Sequence, residues 1–209
     1  MDFFTFAFAT TQRLYRVNSP ASDAGTGFGA FNLVRRAAYE AIGTHAALAL
    51  RPDDDVRLGR RLRQRGFRQR VRGASDLLRV EWYPSLAAAA HGLEKNAFAG
   101  FDYNLPRAGA GLGALALSLI YPYGAVWRAH GVRRALLLGA IGAHTATFVY
   151  TNHKAGRDAL PDAPALPLGA TLSLYVLARA VALTLARGGI RWRDTFYPLD
   201  KLRSQTGLE

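Results

Sequence analysis

APALPLGATLSLYVLARAVALTLA, residues 163–186, carries a single charged side chain, that of Arg179. At about 1.5 Å of rise per residue, a helix of this length is long enough to cross a hydrocarbon core of about 30 Å. Residues 108–127 and 135–153 contain no Asp, Glu, Lys or Arg, whereas the first hundred residues are densely charged. The sequence therefore predicts a charged N-terminal region followed by three candidate membrane segments.

The basic residues between these segments predict how many of them cross the membrane. If all three crossed, the arginines that follow residue 127 and those of the C-terminal tail would both lie outside, against the positive-inside rule. We therefore predict two crossings, at 135–153 and 163–186. Residues 108–127 are then expected to be re-entrant, turning near Pro122, or to lie at the interface.

This topology divides the chain into three regions. Residues 1–105 are predicted to form a cytosolic domain, 106–187 the membrane region and 188–209 a cytosolic tail. The expected location is the cytoplasmic (inner) membrane, with a multi-pass topology and the charged region in the cytosol.

Composition limits the chemistry that the chain can perform. Lys and Arg number 27 against 15 Asp and Glu, a formal charge of +12, and Cys is absent. A disulfide scaffold, a thiolate nucleophile and a cysteine zinc site are therefore excluded, and the positive excess predicts anionic partners. Eight arginines lie between Val56 and Ser75 without an acidic residue. Because Phe67 alone could stack on a base there, we expect a solvated or lipid-facing surface and no nucleic-acid partner.

A glycine-rich stretch at 25–31, GTGFGAF, precedes a helix predicted over 37–42 that Gly43 can end. Such loops can cradle phosphate, but this one lacks the Gly-Lys-Ser/Thr of a Walker A loop. Asn32 also stands where a G-x-G-x-x-G motif needs its third glycine. A turn that lets the backbone pass close to another segment is the favoured interpretation.

Asp53, Asp54 and Asp55 begin a predicted helix that ends before Gly66. They could cap the helix and balance the arginines, hold Mg²⁺ or Mn²⁺ as an Asp-x-Asp pair, or supply a general base. Arg51-Pro52 interrupts the apolar run ahead of them, so a base is preferred to a metal site. Apolar or polar residues then alternate with arginines over 67–72, which predicts a strand, and Ser85 is the expected N-cap of a helix over 86–99.

Together these segments resemble the family 2 glycosyltransferases, in particular bacterial membrane-attached enzymes of the kind found near hopanoid and carotenoid glycolipid pathways. The likeness covers most of the chain and rests on the order and spacing of its pieces. These are GFGAFNLVRRAAY at 27–39, DDVRLGRRLRQRG at 54–66, VEWYPS at 80–85, GLEKNAF at 92–98 and GGIRWRDTFYPL at 188–199.

The resemblance implies an α/β fold, the C-terminal part of a glycosyltransferase A-type domain, followed by transmembrane α-helices. It implies that Asp55 is the general base and Asp54 its acidic partner. The acceptor side would be formed by Gly27, Gly29 and Arg35, with Trp82 as a further acceptor-binding residue. A nucleotide-sugar donor, a lipid acceptor and the membrane are the implied partners, with Mg²⁺ or Mn²⁺ in the complete enzyme.

The departures from the family pattern are equally specific. Nothing before Gly25 resembles the strand-rich donor-binding half or its metal-binding Asp-x-Asp, and the Gln-x-x-Arg-Trp motif of processive synthases is absent. We therefore expect the donor-binding half to be missing, which makes that half a further partner of this chain. The chain alone is expected to bind no metal and to be inactive. The alternative is a non-catalytic integral membrane protein whose arginine-rich surface binds anionic lipid or a partner protein.

Overall fold

The computed structural model describes residues 2–49, 51–74, 76–78, 80, 83–192 and 195–204. The chain is mostly helical, at 64%, and within these ranges its one sheet has two strands. The expected α/β fold is therefore corrected to a mainly helical one, while the expected long apolar helices are present.

The strand predicted over 67–72 does not form. In place of a neighbouring strand, the side chain of Asn18 pairs with Val71: the Val71 N–H donates to Asn18 Oδ1 at 2.7 Å, and Asn18 Nδ2 donates to the Val71 carbonyl at 3.1 Å. Gln69 accepts a hydrogen bond from the Thr26 N–H at 3.2 Å. The residues alternate as the sequence indicates, but at Val71 a side chain satisfies the backbone groups that a sheet would otherwise pair.

The chain forms two compact units. The N-terminal unit is Ala7–Val80, and the helical unit combines Met1–Phe6 with Glu81–Glu209. The first helix, α1 (Asp2–Thr11), contributes residues to both.

Over its described residues, the N-terminal unit contains three further α-helices and a small apolar core. The helices are α2 (Leu14–Val17), α3 (Arg36–Ala41) and α4 (Asp54–Gln64). The buried core residues are Ile42, Leu48, Leu58 and Leu62. Gly43 and Gly66 lie just beyond α3 and α4 with positive φ angles of 83° and 82°, so these two helices end close to where the sequence predicts.

The glycine-rich loop runs directly against α4, as the turn interpretation predicts. A Cβ on Gly25 would lie 2.7 Å from the Gly59 carbonyl oxygen. One on Gly59 would overlap the carbonyl group of Thr26, and one on Gly27 would overlap the carbonyl of Asp55. Three positions therefore exclude side chains so that the loop and the helix can meet backbone to backbone.

The described residues of the helical unit form six α-helices and a β-hairpin. They are α5 (Leu86–Ala97), α6 (Leu105–Leu119), α7 (Tyr121–Ala125), α8 (Gly131–Lys154), α9 (Leu166–Arg187), β1 (Gly189–Trp192), β2 (Thr195–Pro198) and α10 (Leu199–Ser204). The predicted N-cap of α5 is confirmed, because Ser85 Oγ accepts a hydrogen bond from the Ala88 N–H at 3.1 Å. The hairpin is antiparallel, with Ile190 opposite Tyr197, and was not predicted.

The hairpin and the end of α9 share a core with the segment after α5. Its buried members are Phe98, Ala99, Tyr103, Ala108, Val181, Ile190 and Leu202. Gly188 ends α9 with φ 66° and turns the chain into β1. The tail is therefore folded back onto the end of an apolar helix through Ile190 and Leu202.

In the part of the chain that the structure describes, two helical segments are long and apolar enough to cross a membrane. They are Leu105–Ala125, made of α6 and α7, and Ala163–Arg187, which includes α9. Within an apolar stretch of 18 residues in each segment, 11% of the residues are buried in the first and 28% in the second. The segment 163–186 is thus helical as expected, and 108–127 is helical with a break at Ile120. The segment 135–153 lies within α8, which is long enough but less apolar. The number and direction of crossings stay predictions.

We predict that Gly59→Ala destabilises the protein even though alanine favours helix. The gain in helix propensity is about 1 kcal/mol, whereas the new methyl would overlap backbone atoms of Thr26 that no rotamer change can move, and overpacking costs about 1–3 kcal/mol. Thermal unfolding of the purified chain in detergent, followed by circular dichroism, measures the difference. Gly142→Ala in α8 is the matched control, because nothing lies within 4 Å of its added Cβ. Equal melting temperatures for the two variants would contradict the close contact.

Candidate functional site

The start of α4 opens onto a cavity of about 600 Å³ within the N-terminal unit. Its lining contains both aspartates predicted to carry the chemistry, together with the glycine loop and the first turns of α3. The lining residues are Gly29, Asn32, Leu33, Val34, Arg36, Tyr39, His45, Asp54, Asp55 and Leu58.

Asp53 is held by two arginines. Arg57 Nε donates to its Oδ2 at 2.8 Å, and Arg51 Nε lies 3.4 Å from its Oδ1. The arginine side chains are 4% exposed and that of Asp53 is 13% exposed. Two buried positive charges leave this carboxylate no free role, so Asp53 anchors the start of α4.

Asp54 and Asp55 each satisfy one of the free N–H groups in the first turn of α4. Asp54 Oδ1 accepts from the Asp55 N–H at 3.0 Å, and Asp55 Oδ1 accepts from the Val56 N–H at 2.8 Å. The capping interpretation is therefore correct for one oxygen of each side chain. Within the described ranges the second oxygen, Oδ2, of Asp55 makes no hydrogen bond, and it faces Gly29.

The two glycines predicted for the acceptor side have different functions. Gly27 is buried, and its missing Cβ lets the loop lie on the Asp55 carbonyl. Gly29 is exposed, and a Cβ there would lie 3.1 Å from Asp55 Oδ2. Gly27 therefore fixes the loop on the helix, whereas Gly29 keeps one side of the carboxylate open.

A second polar group in the cavity was missed by the sequence analysis. Tyr39 Oη lies 2.5 Å from His45 Nδ1, and the His45 N–H donates to the same Oη at 3.0 Å. These hydrogen bonds join α3 to the turn that follows it. His45 lies six residues after Tyr39, across Gly43, and this spacing was the signal that could have paired them.

Arg35 and Trp82 complete the set of predicted acceptor residues. Arg35 is exposed at the N-cap of α3 and is not part of the cavity lining; its neighbour Arg36 is, paired with Glu40 at 2.8 Å. Trp82 lies outside the residues that the structure describes. The structure therefore brings together Asp54, Asp55 and Gly29, with Gly27 supporting them.

The arginine cluster is partly used inside the unit. Besides Arg57, Arg61 Nε donates to the Ile42 carbonyl at 2.8 Å, and Arg63 Nε donates to the Ala24 carbonyl at 3.0 Å. Hydrogen bonds from charged donors are worth about 1.5–3 kcal/mol each, so these residues stabilise the unit. The exposed members of the cluster are Arg60, Arg65, Arg68, Arg70 and Arg72.

Comparison with known proteins adds no constraint on this site. The chain matches no protein-family model, no curated protein and no solved structure. Across the part of the chain that the structure describes, no group of three or more His, Asp or Glu side chains is placed to hold a metal ion.

We predict that Asp53→Asn lowers the free energy of unfolding by about 3 kcal/mol, because it leaves two buried guanidinium groups facing a neutral amide. Asp54→Asn is the matched control, since asparagine keeps the cap and the lost charge–dipole attraction is about 0.3–1 kcal/mol. Chemical denaturation of each purified variant measures both values. A loss below 1 kcal/mol for Asp53→Asn would show that the ion pairs do not anchor α4.

Proposed function

We propose that this chain provides the acceptor side, the general base and the membrane part of a glycosyltransferase that moves a sugar from a nucleotide donor to a lipid. The observation that carries the proposal is the position of Asp55. Its Oδ1 is held by the Val56 N–H at 2.8 Å, while Oδ2 has no hydrogen-bond donor among the described residues and borders a cavity of about 600 Å³.

The proposed chemistry is an inverting transfer. Asp55 removes the proton from the acceptor hydroxyl as its oxygen bonds to the anomeric carbon of the sugar, and the nucleoside diphosphate leaves from the opposite face. A carboxylate suits this step when one oxygen is fixed and the other is open. The fixed oxygen sets the orientation, and the open one can reach the acceptor.

The neighbouring residues divide the supporting tasks in this proposal. Gly29 leaves room beside the carboxylate, and Arg36, Tyr39 and His45 offer polar atoms on the other side of the cavity. Asp54 is the acidic partner of the base in this proposal and lines the same cavity. The nucleotide-sugar donor and its Mg²⁺ or Mn²⁺ are assigned to a donor-binding segment outside these 209 residues.

The membrane part supports a lipid acceptor rather than a soluble one. Leu105–Ala125 and Ala163–Arg187 are apolar and long enough to reach across a bilayer. The alternative, a non-catalytic protein that binds lipid through the arginine cluster, would depend on the five exposed members of the cluster, because Arg57, Arg61 and Arg63 are engaged within the N-terminal unit.

We expect Asp55→Asn to lower transferase activity by roughly 10² to 10⁴, because the amide keeps the shape and the cap but cannot accept the proton. The assay measures transfer of radiolabelled sugar to extracted membrane lipid, with a donor-binding domain supplied in cis or in trans. Asp54→Asn is expected to be intermediate.

The stability and the activity of these variants separate the two interpretations of the acidic cluster. Asp55→Asn should unfold at nearly the wild-type temperature, so its lost activity cannot be a folding defect. If Asp55→Asn kept most of the activity, Asp55 would be a cap and the proposed function would lose its base.

A further inference from the structure

The apolar helix α9 carries two arginines that share one carboxylate. Arg179 Nη1 lies 2.8 Å from one oxygen of Glu94, and Arg187 Nη1 lies 2.9 Å from the other; Glu94 belongs to α5. Arg179 is the one charged residue between 163 and 186. An ionisable side chain within an apolar, membrane-length helix is costly and commonly marks a functional site.

These three side chains border a cavity of about 270 Å³ at the end of α9, inside the helical unit. Lys95 of α5, Arg191 of β1 and His91 also line it. The cavity is therefore formed by α5, by the last turns of α9 and by the hairpin that follows Gly188.

The cavity carries more positive than negative charge. Four basic side chains border it against one carboxylate, and that carboxylate already binds two of them. Within the described ranges Lys95 and Arg191 have no carboxylate partner. Lys95 Nζ instead lies 4.5 Å from the centre of the Trp192 ring, a contact that holds a cation without neutralising it.

His91 adds a further polar atom to the lining. Its Nδ1 lies 2.9 Å from the Ala87 carbonyl oxygen, which can only accept, so Nδ1 carries a proton. The remaining ring nitrogen, Nε2, is thereby left for other contacts.

We propose that this cavity binds a phosphate dianion, either that of a phosphate-monoester lipid or free phosphate, at the membrane surface. A dianion matches the positive excess better than a zwitterionic headgroup does, and arginine and lysine are the side chains that bind phosphate most strongly. Arg187 is the last residue of α9, so a phosphate in this cavity lies at one end of a membrane-length helix, at the level where lipid headgroups occur.

The site is independent of Asp55. It lies wholly in the helical unit, it uses different residues, and it predicts binding rather than transfer. A negative result in the following experiment would therefore leave the proposed glycosyltransferase untouched, and loss of the Asp55 assignment would leave this site standing.

The test is calorimetric titration of the full chain in a neutral detergent with three probes: short-chain phosphatidic acid, short-chain phosphatidylcholine and inorganic phosphate. We expect saturable binding of phosphatidic acid at one site and no comparable binding of phosphatidylcholine. Comparable binding of inorganic phosphate would identify a soluble phosphate as the ligand, and its absence would identify a lipid. Both outcomes support a site for a phosphate dianion, and the comparison identifies its source.

Two variants and a matched control separate a built site from general attraction to a basic protein. Lys95→Gln and Arg191→Gln should each weaken phosphate binding about tenfold or more, and both leave the Glu94 ion pairs in place. Arg134→Gln removes the same charge from an exposed position near the start of α8 that has no carboxylate partner in the described part of the chain. It should change affinity less than twofold.

Three results would overturn the proposal. They are the absence of saturable binding by either phosphate probe, equal weakening by Arg134→Gln and Arg191→Gln, and equal affinity for phosphatidylcholine. Circular dichroism of each variant confirms that it is folded before titration. Because Lys95 and Arg191 lie on different elements, a folding defect in one variant still leaves the other to decide.

Discussion

The position of the candidate site depends on a backbone contact between the glycine-rich loop and α4. The two segments meet at Gly25, Gly27 and Gly59, which have no side chains. A Cβ on any of these glycines would lie 2.7 Å or less from a main-chain atom. Main-chain contacts cannot relax by changing rotamer, so they fix the loop more tightly than side-chain packing would. The open oxygen of Asp55 faces Gly29 because this contact sets where the loop continues.

That contact also separates the tasks of three adjacent aspartates. Asp53 lies on the buried side of the first turn and neutralises two arginines, whereas Asp54 and Asp55 face the cavity and cap the helix with one oxygen each. Identical side chains thus differ in chemistry because the helix turns each to a different environment. Of the three, Asp55 has its remaining oxygen next to an exposed glycine.

Local rules predicted much of the helical structure and the core of the site. Glycines ended α3 and α4, Ser85 capped α5, and the aspartates stood at the start of α4, because each of these features depends on a few neighbouring residues. The strand predicted at 67–72 does not form, because an alternating pattern does not specify which segment would pair with it. Asn18, 53 residues away from Val71, fills that position, and no local pattern encodes such a contact.

The same limit explains the missed Tyr39–His45 pair and the hairpin of the tail. The hairpin strands have four residues each, and Ile190 is buried by packing against the end of α9 and Leu202 rather than by a sheet. Sequence alone likewise shows how many arginines the cluster has, but not which of them are exposed and which bond to the protein. Whether an arginine reaches solvent or a carbonyl depends on distant backbone, as with Arg63 and Ala24.

A recurring arrangement in this basic chain is one carboxylate that binds two arginines, and burial decides what each instance can do. Around Asp53 the arginine side chains are 4% exposed, so their excess charge is enclosed and serves stability. Around Glu94 the arginine side chains are 33% and 53% exposed and border a cavity with two further cations. The first arrangement holds a helix start in place, whereas the second leaves positive charge accessible at the end of an apolar helix, where an anion from outside the chain can complete it.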